Sequence, residues 1–137
     1  MKKLFLLLAL LPFSLFAADV AKIAPADAAK LVAEGKAVLV DVREPAEWTE
    51  SGVAAPALLL AKSDFDGAQT AWKPFLETVS AAKGERPTVI VYCRSGRRSA
   101  AVAEALAKQG FTVANAGSLK DWSAAGLPTR AASEPAK

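Results

Sequence analysis

One stretch of this 137-residue chain could carry covalent chemistry. Its single cysteine, Cys93, runs directly into Arg94, Ser95, Gly96, Arg97, Arg98 and Ser99. A thiol reacts as its thiolate, and nearby cations, helix N-termini and N–H donors all favour that form. Gly96 lets the backbone curl, so that successive N–H groups can point inward as an anion-binding nest. Arg94, Arg97 and Arg98 would add positive charge, and the same features would draw a small oxyanion to the sulfur. The chain has no histidine, which excludes a Ser-His-Asp triad, a Cys-His dyad and imidazole ligation of metal or haem. One cysteine also excludes an internal disulfide and a CxxC pair. The plainer alternative for Cys93 is an inert core thiol, and three flanking arginines argue against it because arginines resist burial. Arg97 or Arg98, whichever points outward, is the one expected to be no more than a solvated turn residue.

The elements that must position this loop are legible around it. Thr88-Val89-Ile90-Val91-Tyr92 is the strongest strand signal and leads straight into Cys93. The stretch from Ser99 to Gln109 carries Val102, Ala105 and Leu106 at helical spacing, with Gly110 as its stop. Further strands are expected at 37–42, 57–60 and 111–114, with a short first strand at 20–23. Helices are expected after Pro25, over 44–50 behind Pro45, over 70–83 and over 118–125. Strand alternating with helix implies an α/β fold: a parallel sheet with helices on both faces. In such sheets ligands bind beyond the carboxyl ends of the strands, where Cys93 falls.

The first residues read as an export leader. Lys2 and Lys3 precede an almost purely apolar run from Leu4 to Phe16, and small residues follow at Ala17 and Ala18. The run is shorter than the roughly 20 residues a spanning helix needs. Residues 1–17 are therefore expected to be a cleaved signal, 18–129 one domain and 130–137 a disordered tail. The mature protein is expected in the periplasm without stable membrane association. Cleavage removes two of the 17 basic residues and none of the 14 acidic ones. Bulk charge then says little, no basic stripe interleaved with aromatics points to nucleic acid, and nothing calls for a cofactor or a metal.

Tyr92 to Ser99 resembles the active-site loop of single-domain rhodaneses, the thiosulfate sulfurtransferases. The segment Asp41-Val42-Arg43-Glu44-Pro45-Ala46-Glu47-Trp48 resembles the family's DVRE-x-x-E-[WF] motif. The stretch from Asn115 to Trp122, followed by Ala125-Gly126-Leu127-Pro128, resembles its closing segment. The resemblance covers about residues 23–129. It implies a three-layer α/β/α domain with a central, mainly parallel sheet of about five strands. It also implies that Cys93 takes the outer sulfur of thiosulfate, holds it as a persulfide and yields it to cyanide or a thiol. Carried over residue by residue, Arg94 and Arg98, then Arg97, would bind sulfonate oxygens. The backbone of residues 94–98, with Ser95 and Gly96, would cradle the persulfide, while Asp41, Arg43 and Ser99 would support the site. Two departures stand out. The family's Gly-His-Ile-Pro-Gly-Ala is replaced by Gly52-Val53-Ala54-Ala55-Pro56-Ala57, and Ser118 stands where a second glycine is common.

Three other functions fit less well or less specifically. A Cys-x5-Arg phosphatase or arsenate reductase needs arginine at position 99, where this chain has serine. A non-enzymatic persulfide carrier, or a thiol-dependent binding module, would keep the same loop. The partners expected are a small sulfur donor and a thiophilic acceptor. The chain is expected to be monomeric, and Cys93 is expected to be an exposed low-pKa thiol, prone to oxidation and to forming dimers through Cys93.

Overall fold

The computed structural model describes residues 20–137. The expected leader lies outside them. Five strands form one sheet: β1 (Ala21–Lys22), β2 (Ala37–Asp41), β4 (Leu58–Leu59), β5 (Thr88–Cys93) and β6 (Val113–Ser118). Their order is β1-β6-β5-β2-β4, and every neighbouring pair is parallel. Strands β5 and β2 are central and buried on both faces, so their sequences are continuous apolar runs rather than alternating ones.

Alternate residues of these strands still face opposite ways and so divide the core in two. Val89, Val91 and Cys93 of β5 join Val40 of β2 on one face. There they pack against α3 (Lys62–Asp66), α4 (Trp72–Ser80) and α5 (Arg97–Lys108) through Phe65, Trp72, Leu76, Val102 and Leu106. Ile90 and Tyr92 join Leu39 on the other face, beneath Ala28 of α1 (Pro25–Ala33) and Trp122 of α6 (Leu119–Ala124). This is the three-layer α/β/α arrangement the sequence implies. Trp72 and Trp122 are both core residues, 0% and 2% exposed.

Several elements differ from the sequence-based expectation. Strand β4 shrinks to two residues at the sheet edge, leaving Leu58 exposed. Strand β6 starts two residues later than expected and runs on through Asn-Ala-Gly-Ser, residues with weak strand preference. Helix α3 has no counterpart in the sequence reading; at five residues it is too short to show a helical period. A separate antiparallel pair, β3 (Val53–Ala54) with β7 (Thr129–Arg130), was also not foreseen.

Arg130, assigned from sequence to a disordered tail, is an ordered and buried part of the domain. Its guanidinium donates to the carbonyls of Ala55 (3.0 Å) and Ala57 (2.6 Å), and to those of Ala131, Ala132 and Glu134. The Lys137 N–H closes back onto Ala55 O at 2.9 Å. A planar fork of donors thus gathers the main chain of the turn from Gly52 to Ala57. Arg130→Ala removes the donor to the buried Ala57 carbonyl and one of the two donors to Ala55 O, and is expected to cost about 2 kcal/mol. A urea midpoint that does not move would contradict this.

Candidate active site

The buried strand β5 ends at Cys93, and the chain then turns through Gly96 into α5. Gly96 has φ +88°, a left-handed conformation that residues with a Cβ rarely adopt. That turn aims backbone donors back at the sulfur. Gly96 N–H donates to Cys93 Sγ at 3.1 Å and Ser99 N–H at 3.5 Å, while the Ser99 hydroxyl lies 3.3 Å from the same sulfur. Burial pushes the Cys93 thiol up. The Ser99 hydroxyl and the N–H groups of Ser99, Ser95 and Gly96 outweigh it, so the pKa falls below that of an ordinary cysteine.

Cys93 itself is 0% exposed. The expectation of an exposed thiol is therefore corrected: the sulfur lies beneath the loop, where the donors that stabilise it also cover it. A disulfide between two copies requires the sulfurs to approach to about 2.05 Å, which this burial prevents unless the loop opens.

The three arginines do not converge on the sulfur. Arg94 is exposed and lines a cleft of about 330 Å³ with Arg43, Glu50, Ser51, Leu119 and Lys120. Arg97 is also exposed and borders a different cleft with Lys22, Pro25 and Asp121. Arg98 turns to Glu47 of α2 (Pro45–Ser51) in a two-pronged pair of 2.6 and 2.9 Å. The groups that reach the sulfur are thus N–H and O–H donors, while Arg94 stands at the mouth of the first cleft, Arg97 borders the second and Arg98 is paired with Glu47.

Glu47 was not singled out from sequence. It sits 51 residues from Arg98 and also closes the capping box of α2 with Glu44. The Arg98 fork lowers the Glu47 pKa against the opposing effect of burial. A lowered carboxylate pKa adds stability above the unfolded value of about 4.3, and that stability is lost as pH falls through the folded value. Wild type is expected to exceed Glu47→Gln by up to about 1 kcal/mol at pH 7. The difference should shrink as pH falls below about 4.3 and disappear once pH is below the folded value. Equal urea midpoints at pH 7 would contradict it.

Asp41 and Arg43 form a buried ion pair beneath the mouth, with side chains 0% and 4% exposed. The guanidinium of Arg43 bonds both carboxylate oxygens of Asp41 and also reaches Ser51 Oγ and Gly52 O, each at 2.7 Å. These contacts fasten the end of β2 to the end of α2. The resemblance places these two residues in support of the site, and their geometry is that of a structural ion pair. Tyr92, behind Cys93, accepts the N–H of Ala54, and burial together with the Asp41 charge raises its pKa.

Asn115 also went unassigned from sequence. Its amide donates to Gly96 O at 3.0 Å, and its carbonyl accepts the Ser99 hydroxyl at 2.8 Å and the Gly117 N–H at 3.0 Å. An amide side chain set between two alanines in a strand is the signal the sequence offers. Ser99, expected in a supporting role, joins Asn115 to Cys93. Among the described residues, no group of three His, Cys, Asp or Glu side chains could hold a metal ion.

The description of the rhodanese-like domain family matches residues 24–125, most of the chain and all of the site. The chain belongs to the rhodanese-like family. A relative from Schizosaccharomyces pombe named "Putative thiosulfate sulfurtransferase, mitochondrial" is 34% identical over 89 residues, which is 63% of each chain. This chain therefore spans under two thirds of that relative's length. Among solved structures it resembles the polysulfide-sulfur transferase homodimer of Wolinella succinogenes. That match has TM-score 0.62 and 28% identity, and covers 88% of this chain and 87% of the other. A Rhodopseudomonas palustris protein described as a possible tyrosine phosphatase matches with TM-score 0.64 at 24% identity, covering 81% and 85% of the two chains. At that identity the likeness shows the fold alone. For this rhodanese-like domain, family membership supports sulfur transfer at the family level.

Proposed function

We propose that this chain is a sulfurtransferase carrying sulfane sulfur on Cys93, taken from thiosulfate or a similar donor and passed to cyanide or a thiol. The observation that carries this reading is the set of N–H and O–H donors around Cys93 Sγ, which favours a thiolate without any histidine. In the first half-reaction Sγ attacks the outer sulfur of thiosulfate. A new S–S bond forms, the old one breaks, and its electron pair leaves with sulfite. The negative charge then rests on the terminal sulfur of a Cys93 persulfide, for which the loop N–H groups are the natural partners. In the second half-reaction cyanide or a thiolate takes that sulfur, and the bonding pair returns to Sγ.

Within this proposal Arg94 is the leading sulfonate ligand, because it is exposed at the cleft and makes no ion pair among the described residues. Arg98 contributes less, because its fork is committed to Glu47. The burial of Cys93 favours a donor with a narrow sulfur end over a bulky one. A Cys-x5-Arg phosphatase is disfavoured because position 99 holds a serine that faces the sulfur. We further propose that residues 1–17 are an export leader and that the mature protein acts in the periplasm. N-terminal sequencing of the secreted form checks this, and a retained Met1 would contradict it.

Two successive half-reactions give ping-pong kinetics. Initial rates of thiocyanate formation over a grid of thiosulfate and cyanide concentrations should give parallel double-reciprocal lines. Intersecting lines would contradict a covalent intermediate. A persulfide that loads but does not discharge to cyanide or a thiol would mark a carrier.

A further inference from the structure

We infer that the Ser99 hydroxyl is a toggle with one proton and two acceptors, Cys93 Sγ and Asn115 Oδ1, and that Asn115 is the positioning residue that gives the proton its second place. The inference rests on the reading that Cys93 cycles between charged and neutral sulfur. Ser99 Oγ is 3.3 Å from Sγ and 2.8 Å from Asn115 Oδ1, and a hydroxyl can donate to only one of them at a time. Both Cys93 and Ser99 are fully buried, so water does not supply a substitute partner.

The orientation of the Asn115 amide is fixed by its other bonds. Its nitrogen must face the Gly96 carbonyl, so its oxygen must face Ser99 and Gly117 N–H. The backbone puts it there. Val91 pairs with Asn115 and Cys93 with Ser118, so β6 carries one more residue than β5 across this interval. Such a bulge turns side chains at the edge of a site. Here Gly117 holds the bulge at φ +83°, and Asn115 satisfies its N–H. One side chain thereby ties the bulge, the Gly96 turn and the Ser99 hydroxyl together.

The toggle follows the charge on Sγ. When Sγ is a thiolate, the Ser99 O–H turns to it. When Sγ is bonded to hydrogen or to a transferred sulfur, its charge is gone and the hydroxyl returns to Asn115 Oδ1. No heavy atom moves, and no proton is gained or lost by Ser99. Asn115 therefore weakens the hold on the resting thiolate and favours the neutral-Sγ states. The charged group facing Cys93 across the loop is Arg98, with its partner Glu47, and neither is altered in the test below.

The test is the pH titration of the Cys93 thiolate by its ultraviolet absorbance, with the Cys93→Ser protein as the blank; it needs neither a sulfur donor nor access to the buried sulfur, and so stands apart from the proposed reaction. Ser99→Ala should raise the midpoint by about one pH unit, which is tenfold less thiolate at a pH below it. Asn115→Leu removes the competing acceptor and should lower the midpoint, but not in the Ser99→Ala background, where no proton is left to redirect. Asn115→Asp provides a stronger acceptor and a negative charge. It should raise the midpoint, by less in the Ser99→Ala background, and serves if the leucine variant does not fold. Shifts of equal size with and without the Ser99 hydroxyl would overturn the toggle. So would an upward shift in Asn115→Leu. Normal profiles in a protein that never accepts sulfur would instead count against the proposed function.

Discussion

Cys93→Ser is expected to abolish sulfur transfer, lowering thiocyanate formation on the order of 10³-fold or more. The replacement is nearly isosteric, and every donor around position 93 remains: Gly96 N–H, Ser99 N–H and the Ser99 hydroxyl. What changes is the nucleophile. A serine hydroxyl remains protonated at neutral pH, because the donors that favour a thiolate do not come near ionising an alcohol, and the site offers no general base. The core should hardly notice, since Cys93 packs as a small apolar residue among Val91, Val102 and Leu106. Intact urea stability with no turnover is the expected pair of results. Turnover within tenfold of wild type would mean that sulfur passes through some other group.

The second large effect is on stability. Arg43→Ala is expected to cost about 3–5 kcal/mol, a large share of the 5–15 kcal/mol that holds a typical domain. The deletion strands the Asp41 carboxylate, which is 0% exposed and keeps the Arg43 backbone N–H, at 2.9 Å, and the Tyr92 hydroxyl but no charged partner. It also leaves Gly52 O and Ser51 Oγ without their donor. Arg43→Lys should recover little, because one ammonium cannot reproduce a fork that serves Asp41, Ser51 and Gly52 together. Replacing both members, as Asp41→Leu with Arg43→Met, should recover much of the loss, since no unpaired charge then stays buried. Urea unfolding followed by circular dichroism decides it. A loss below about 1 kcal/mol in Arg43→Ala, the usual size for an exposed pair, would mean that the ion pair does not fasten β2 to α2.

What could be read from the sequence follows from how local each signal is. Strand β5, the Gly96 turn and α5 lie within 21 consecutive residues, and each announces itself by β-branched residues, a glycine or a helical period. The proposed nucleophile and the turn that curls around it were therefore legible. The partners of the arginines were not. Arg98 meets Glu47 across 51 residues, and Arg130 meets Ala55 across 75, and neither residue carries a local mark of its destination. Two-residue strands such as β3 and β7 are too short to show alternation. Asn115 was hidden because its task depends on a bulge, which shows only when β5 and β6 are laid side by side. The sequence suggests backbone N–H groups and arginines acting together on the sulfur. The geometry brings N–H and O–H groups to it and leaves Arg94 at the mouth.

The central claim is that Cys93 accepts one sulfur atom, and the first half-reaction tests it with no acceptor present. Purified protein mixed with thiosulfate alone should gain the mass of one sulfur and release one equivalent of sulfite, and Cys93→Ser should do neither. Wild-type protein whose mass is unchanged, with no sulfite released, would contradict the account.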